Sequence, residues 1–224
     1  MRSRYMASLL AAGLAILLPS SADASSTRTA RVQAALEAWV ADRAPVEKVT
    51  GIAAYISFGD PGPAIEAFAG NVGNGPQDAP VGPGTLFQMG STSKSFTVAL
   101  ILKLEAAGAL SIDDTLSKWL PQYPVWKDVS IRRLLNMTSG IPNYSETEAM
   151  SRVWVNQPTR DLTAEDLVAM AYPAGAGDPP ENGGYRYSNT NYVLAGMVAA
   201  KATGRSYRDL VHDMVIGAFG LHST

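Results

Sequence analysis

Apolar residues fall at helical spacing over residues 27–43, with Val32, Ala35, Leu36, Trp39 and Val40 on one face, and Pro45 is expected to end that helix. The period then changes from about 3.6 to 2. Over 49–58, Ile52, Ala54, Ile56 and Phe58 alternate with Ala53, Tyr55 and Ser57, which reads as a half-buried strand. A turn at Asp60-Pro61-Gly62-Pro63 leads into a second strand over 64–70, so the two form a hairpin. Residues 70–84 are rich in Gly, Pro and Asn and are expected to be a loop. The helical period returns with Phe96, Ala99, Leu100 and Leu104, in a helix of about 91–107 that Gly108 stops. Shorter helices are expected over 110–120, closed by Pro121, and over 131–137, capped by Ser130. Thr163 with Asp166 forms a variant capping box before 167–171. A Gly- and Pro-rich loop over 173–184 precedes a small-residue helix over 192–203, which Gly204 caps, and Ser206 with Asp209 opens the last helix. The order is helix, two strands, then almost only helices. It predicts an α+β chain with a small antiparallel sheet and a helical subdomain beside it. No internal repeat or long linker divides residues 25–224, which are expected to form one domain.

Composition narrows the function classes. The chain has 224 residues, 46% hydrophobic and 17% charged, as in an ordinary globular protein. A formal charge of −2 gives no electrostatic footprint for nucleic acid. With no Cys there is no disulfide, zinc-thiolate site or thiol nucleophile. His212 and His222 are the only histidines, which leaves a Ser-His-Asp triad little to draw on. Arg2 and Arg4 precede an apolar run over 7–18 that is too short to span a bilayer. Pro19 breaks the run, and Ala22-Asp23-Ala24 reads as a cleavage site. Residues 1–24 are therefore expected to be a signal peptide, and the product to be periplasmic or secreted from a bacterium, without a stable membrane anchor.

Ser91 and Lys94 lie one turn apart at the start of the helix expected over about 91–107. A serine hydroxyl becomes a useful nucleophile when a neighbouring base takes its proton. A lysine serves as that base when burial and nearby positive charge lower its pKa, and a helix N-terminus acts in the same direction. The bland reading is an N-cap serine followed by an exposed lysine. With 19 Ser and 6 Lys in the chain, chance alone supplies about 0.5 such pairs, so the spacing is weak by itself. Tyr187-Ser188-Asn189 is the second candidate. A tyrosine beside a cationic lysine can accept a proton, and Asn189 is placed to hold Lys94 and bond a substrate amide. The bland reading here is a loop tyrosine packed on a helix end that Asn caps.

Together the motifs resemble a known family. Phe87-x-x-Gly90-Ser91-x-x-Lys94-x-Phe96-Thr97 is similar to the first motif of serine β-lactamase-related proteins. Tyr187-Ser188-Asn189-x-x-Tyr192 resembles the second, in the Tyr-x-Asn form of class C β-lactamases, D-alanyl-D-alanine carboxypeptidases and related esterases. Residues 134–142, Leu-Leu-Asn-Met-Thr-Ser-Gly-Ile-Pro, resemble the family's Leu-Leu-x-His-Thr-Ser-Gly-Ile stretch, with Met137 in place of the usual His. The stretches 110–121 and 189–204 match in character.

The resemblance implies a β-lactamase/DD-peptidase-like fold and a serine hydrolase acylated at Ser91. Lys94 and Tyr187 would share proton transfer, and Asn189 would position a small-molecule or peptide substrate. No metal or organic cofactor is implied. The substrates it suggests are acyl-D-Ala-D-Ala peptides, β-lactams and short esters. One departure is large: the family's third motif, Lys-Thr-Gly or His-x-Gly, is absent, and Lys201-Ala202-Thr203-Gly204 is an interrupted decoy at a helix end. The chain is accordingly expected to be the N-terminal portion of such an enzyme, truncated before the remaining strands and impaired as it stands. The alternative is a catalytically inactive remnant, or a non-enzymatic binding protein of the same fold.

Overall fold

A computed structural model describes residues 21–59, 63–75, 77–173 and 184–224. Most of the expected signal peptide, the hairpin turn and nearly all of the loop over 173–184 lie outside these residues. The chain divides into two units, Met1–Phe87 and Gln88–Thr224.

In the first unit, α1 (Ser21–Glu47) is longer at both ends than the expected 27–43. It runs through Pro45, which removes only one backbone donor, and that near the end of the helix. The Lys48 N–H still reaches the Ala44 carbonyl at 3.1 Å. Lys48 then takes φ 58 and stops the helix. Val32, Leu36 and Val40 are half-buried as expected, but Ala35 and Trp39 are exposed, Trp39 at 39%. Gln33 takes the inward place.

β1 (Gly51–Ile56) and β2 (Ile65–Gly70) pair antiparallel, with Ile52 opposite Ala69, Ala54 opposite Ala67 and Ile56 opposite Ile65. The predicted alternation holds within the strands, but β1 ends at Ile56, short of the expected 49–58, and Phe58, expected on the inward side, is 60% exposed. Ile65, Ala67 and Ala69 are buried and Ile52, Ala54 and Ile56 half-buried, while Ala53, Tyr55 and Glu66 face out. Among the described residues the sheet has these two strands and is not closed. α1 packs on β2, and its Gln33 carboxamide pairs with the edge backbone. Nε2 donates to the Phe68 carbonyl at 2.7 Å, and Oε1 accepts the Phe68 N–H at 3.2 Å. α1 therefore packs on this sheet and, through one long amide side chain, also pairs part of its edge.

The second unit is helical: α2 (Ser93–Ala106), α3 (Leu116–Trp119), α4 (Ile131–Leu135), α5 (Glu148–Asn156), α6 (Ala164–Ala171), α7 (Asn189–Thr203) and α8 (Tyr207–Val211). A wider π-type turn over His212–Gly217 follows. α7 is the hub, packing against α2, α4 and α6. Its Leu194, Ala195, Val198 and Ala199 are buried with Leu100 and Ile101 of α2, Ile131 and Leu134 of α4, and Val168 of α6. Small residues on α7 let neighbouring helices approach closely. Trp126 fills the core beside Tyr172, ring centres 4.8 Å apart and nearly edge-on.

The capping signals read from the sequence operate as hydrogen bonds. Ser130, Thr163 and Ser206 each accept a backbone N–H from three residues on, and Thr163 with Asp166 completes a capping box. Gly204 ends α7 at φ 70. Two expectations need correction. The helix over 110–120 shrinks to α3, because the backbone donors that a longer helix would use pair with a neighbouring stretch instead: the Leu116 N–H goes to the Val129 carbonyl at 2.9 Å and the Ser117 N–H to the Lys127 carbonyl at 3.0 Å. α4 stops at Leu135 rather than at 137, since Met137 adopts φ 61. α5, capped by Thr147, was not anticipated.

Candidate active site

Gly90 takes φ +52 and turns the chain sharply into a 3-10 turn, Gly90–Thr92, that leads into α2. Ser91 therefore lies in the turn before the helix and is not its cap. Thr92 holds the cap position, with helical backbone angles and no side-chain cap bond. The Ser91 hydroxyl points at two partners. Its Oγ is 2.6 Å from the Tyr187 hydroxyl and accepts from Lys94 Nζ at 3.1 Å. Tyr187 arrives on the extended segment before α7, and its O–H donates to Asn189 Oδ1 at 3.1 Å. With that hydrogen committed, the Ser91 O–H donates to the Tyr187 oxygen. The polar chain thus runs Lys94 to Ser91 to Tyr187 to Asn189, and all four residues singled out in the sequence meet. Asn189 does not touch Lys94. Its Nδ2 goes to Ser145 Oγ at 2.9 Å.

The three phenols around this cluster differ. Lys94 Nζ lies 5.0 Å from the Tyr187 ring centre and 5.6 Å from that of Tyr192. The Tyr187 phenol is held below its ordinary pKa, first by hydrogen bonding with Lys94, then by the Ser91 hydroxyl and the Lys94 charge. Tyr144 and Tyr192 are pushed above theirs, mainly by burial. Tyr187 is thus the phenol whose surroundings favour the phenolate. Ser91 is exposed and Tyr187 is 37% exposed, so a ligand can reach both. A cavity of about 820 Å³ is lined by their partners Lys94 and Asn189 together with Tyr144, Tyr192, Glu165 and Arg205. Among the described residues, no group of three or more acidic or histidine side chains is placed to hold a metal, and no helix is long and apolar enough to cross a membrane.

A buried polar junction holds the second motif in place. Ser139, Asn143, Ser188, Thr190 and Asn191 are all buried. Asn143 Oδ1 accepts the Asn189 N–H at 3.0 Å and the Ser145 Oγ hydrogen at 3.0 Å. Ser139 Oγ donates to Asn191 Oδ1 at 2.6 Å, and Thr190 Oγ1 donates to the Pro142 carbonyl at 2.7 Å. Among the described residues no buried side-chain polar atom lacks a partner, as so dense a junction requires. The sequence reading did not single out Asn143 or Ser145. A signal was present, because Thr190 and Asn191 each fall four residues before Leu194 and Ala195 respectively, on the buried face of α7. Polar residues on that face need dedicated partners. Lys201, in the last turn of α7, is exposed, in keeping with its reading as a decoy.

Known proteins share this sequence and fold. Penicillin-binding protein 4* of Bacillus subtilis (strain 168) is 36% identical over 147 residues, 65% of this chain and 31% of its own length. Protein flp of Staphylococcus aureus (strain MW2) is 30% identical over 155 residues, 64% of this chain and 29% of its own. A D-stereospecific amidohydrolase from Streptomyces sp. superposes with TM-score 0.70 at 33% identity, over 87% of this chain and 55% of that one. The D-amino acid amidase of Ochrobactrum anthropi SV3 complexed with L-phenylalanine also gives TM-score 0.70, at 26% identity, over 87% and 50%. The chain thus spans about a third of the length of these curated relatives and about half that of the solved structures. The family model described as Beta-lactamase matches residues 29–224, and on that match this chain belongs to the Beta-lactamase family.

Proposed function

We propose that this protein is a serine hydrolase that forms an acyl-enzyme on Ser91 and acts on amides or esters, with D-amino-acyl amides, D-Ala-D-Ala peptides and β-lactams as the first substrates to test. The observation that carries this reading is the 2.6 Å contact between Ser91 Oγ and the Tyr187 hydroxyl, with Lys94 Nζ 3.1 Å away on the same oxygen. The relatives named for a D-amino acid amidase, a D-stereospecific amidohydrolase and a penicillin-binding protein point to the substrate class.

In this reading Tyr187 reacts as the phenolate. Ser91 Oγ bonds to the substrate carbonyl carbon while its proton passes to the Tyr187 oxygen. Collapse of the tetrahedral intermediate breaks the bond to the leaving amine or alcohol, which takes that proton from Tyr187. Water then bonds to the acyl carbon and gives a proton to Tyr187, and as the bond to Ser91 Oγ breaks and the acid leaves, Tyr187 returns that proton to Oγ. Lys94 stabilises the Tyr187 phenolate by charge and donates to the serine oxygen. Asn189 accepts from Tyr187 when the phenol is neutral and faces the cavity where an amide substrate would lie.

A labelled penicillin and a fluorophosphonate probe test the reading. One covalent adduct, mapped to Ser91 and lost in Ser91→Ala, is the expected result. Ser91 makes no cap bond, so the variant should melt within about 0.5 kcal/mol of the native protein. A folded native protein that takes up neither probe would instead support a non-enzymatic binding role. In the exported form proposed for it, the labelled protein begins at Ser25, in the first turns of α1; an intact Met1 on periplasmic material would rule that out.

A further inference from the structure

We propose that Met137 is a positioning residue for the Tyr187–Asn189 pair, pinning the backbone on both sides of Tyr187 through its carbonyl and its thioether. The inference rests on the reading of Tyr187 as proton acceptor. Three bonds carry it. The Met137 carbonyl accepts the Arg186 N–H at 2.8 Å. Its Sδ accepts the Ser188 N–H at 3.4 Å and Asn191 Nδ2 at 3.6 Å. Residues 186 and 188 flank Tyr187, and in an extended segment their N–H groups point to the same side. One residue therefore holds both neighbours of the phenol, along with the first turn of α7 that carries Asn189.

The backbone of Met137 is an independent observation. It sits at φ 61, where a side chain with a Cβ is rarely found, and it is 6% exposed. Such a conformation persists when the surroundings over-determine it. The left-handed turn directs the carbonyl and the thioether to the same segment, which an ordinary helix end would not do. A thioether suits the place: it is a weak acceptor, polarizable enough to meet a backbone donor and an amide donor at once, and its remainder is apolar.

A core methionine chosen for volume alone makes a different prediction. Met137→Leu keeps the volume and apolar character but removes the acceptor; Met137→Gln supplies an oxygen acceptor at similar reach. The readouts are the Tyr187 phenol titration, isolated by subtracting the matching Tyr187→Phe protein, and the rate of probe capture at Ser91. Lys94, Tyr144 and Tyr192, the ionisable groups around the phenol, are unchanged in both variants.

In Met137→Leu the titration midpoint should move up toward that of a free phenol, and capture should slow by about tenfold or more. Met137→Gln should recover most of both. Native-state amide exchange needs no variant: the Arg186 and Ser188 amides should be protected as α7 is. Exchange there at the rate of an open loop overturns the proposal, whether or not Met137→Leu folds. So does a Met137→Leu protein that titrates and captures probe like the native one. If native Ser91 captures no probe while Met137→Leu still moves the phenol titration, the hydrolase reading falls and the positioning role stands.

Discussion

At the scale of single residues, the site depends on which phenol is ionised. Three tyrosines lie near Lys94, but only Tyr187 is both reachable by a ligand and shifted toward the phenolate. The base is active when deprotonated, so acylation should rise with pH through an apparent pKa below the ordinary phenol value of about 10. Tyr187→Phe should remove that limb and lower the acylation rate by about 10²- to 10⁴-fold. Probe-capture rates measured across pH decide this. An unchanged limb in Tyr187→Phe would assign the proton to another group.

At the scale of elements, local side-chain bonds decide where helices start and stop. Asp114 is the clearest case. One carboxylate oxygen accepts from the Ser111 N–H at 3.0 Å, from Lys118 Nζ at 2.8 Å and from Trp119 Nε1 at 3.1 Å, tying a turn to α3. Its pKa is held below the usual carboxylate range, first by Lys118 and next by the Ser111 N–H. A carboxylate whose pKa falls on folding stabilises the fold above its unfolded pKa, and that contribution is lost as pH drops through the folded value. Asp114→Ala should therefore destabilise the protein by about 2 kcal/mol at neutral pH, and the gap to the native protein should narrow in acid. Thermal melts at the two pH values measure it. The same competition explains what the sequence made legible. Caps signalled by a polar residue three positions before their target, such as Thr163 with Asp166, were readable. So was the alternation of β1 and β2, which rests on a period of two. The ends of α3 and α4 were not, because the first rests on backbone pairing with Lys127 and Val129 and the second on the left-handed Met137. The four site residues were legible from motif spacing, yet the junction of Asn143, Ser145 and Met137 beneath them joins stretches some fifty residues apart and exists only once the chain is folded.

At the scale of the whole molecule, the two units are unequally supported. The second has a continuous buried cluster built around α7. Among the described residues the first has Ile65, Ala67, Ala69 and Val81 as its buried apolar residues, with two strands and one helix. A two-stranded hairpin is marginal without covering structure. Amides of β1 and β2 should therefore exchange faster than those of α2 and α7, and the first unit should open at a lower temperature. Hydrogen exchange followed by mass spectrometry resolves this. Equal protection in both units would show that α1 supplies more support than its contacts suggest.

The Gln33 carboxamide has a consequence for how this protein could polymerise. It occupies the outward N–H and carbonyl of Phe68, and the Val81 N–H occupies the Gly70 carbonyl at 3.0 Å, so the outer edge of β2 is stoppered at Phe68 and Gly70. Among the described residues nothing pairs the outer edge of β1. Growth of the sheet is thus one-sided. One other copy joined β1 to β1 leaves a β2 strand at each outer side of the combined sheet, so edge pairing between copies favours a closed pair over a fibre.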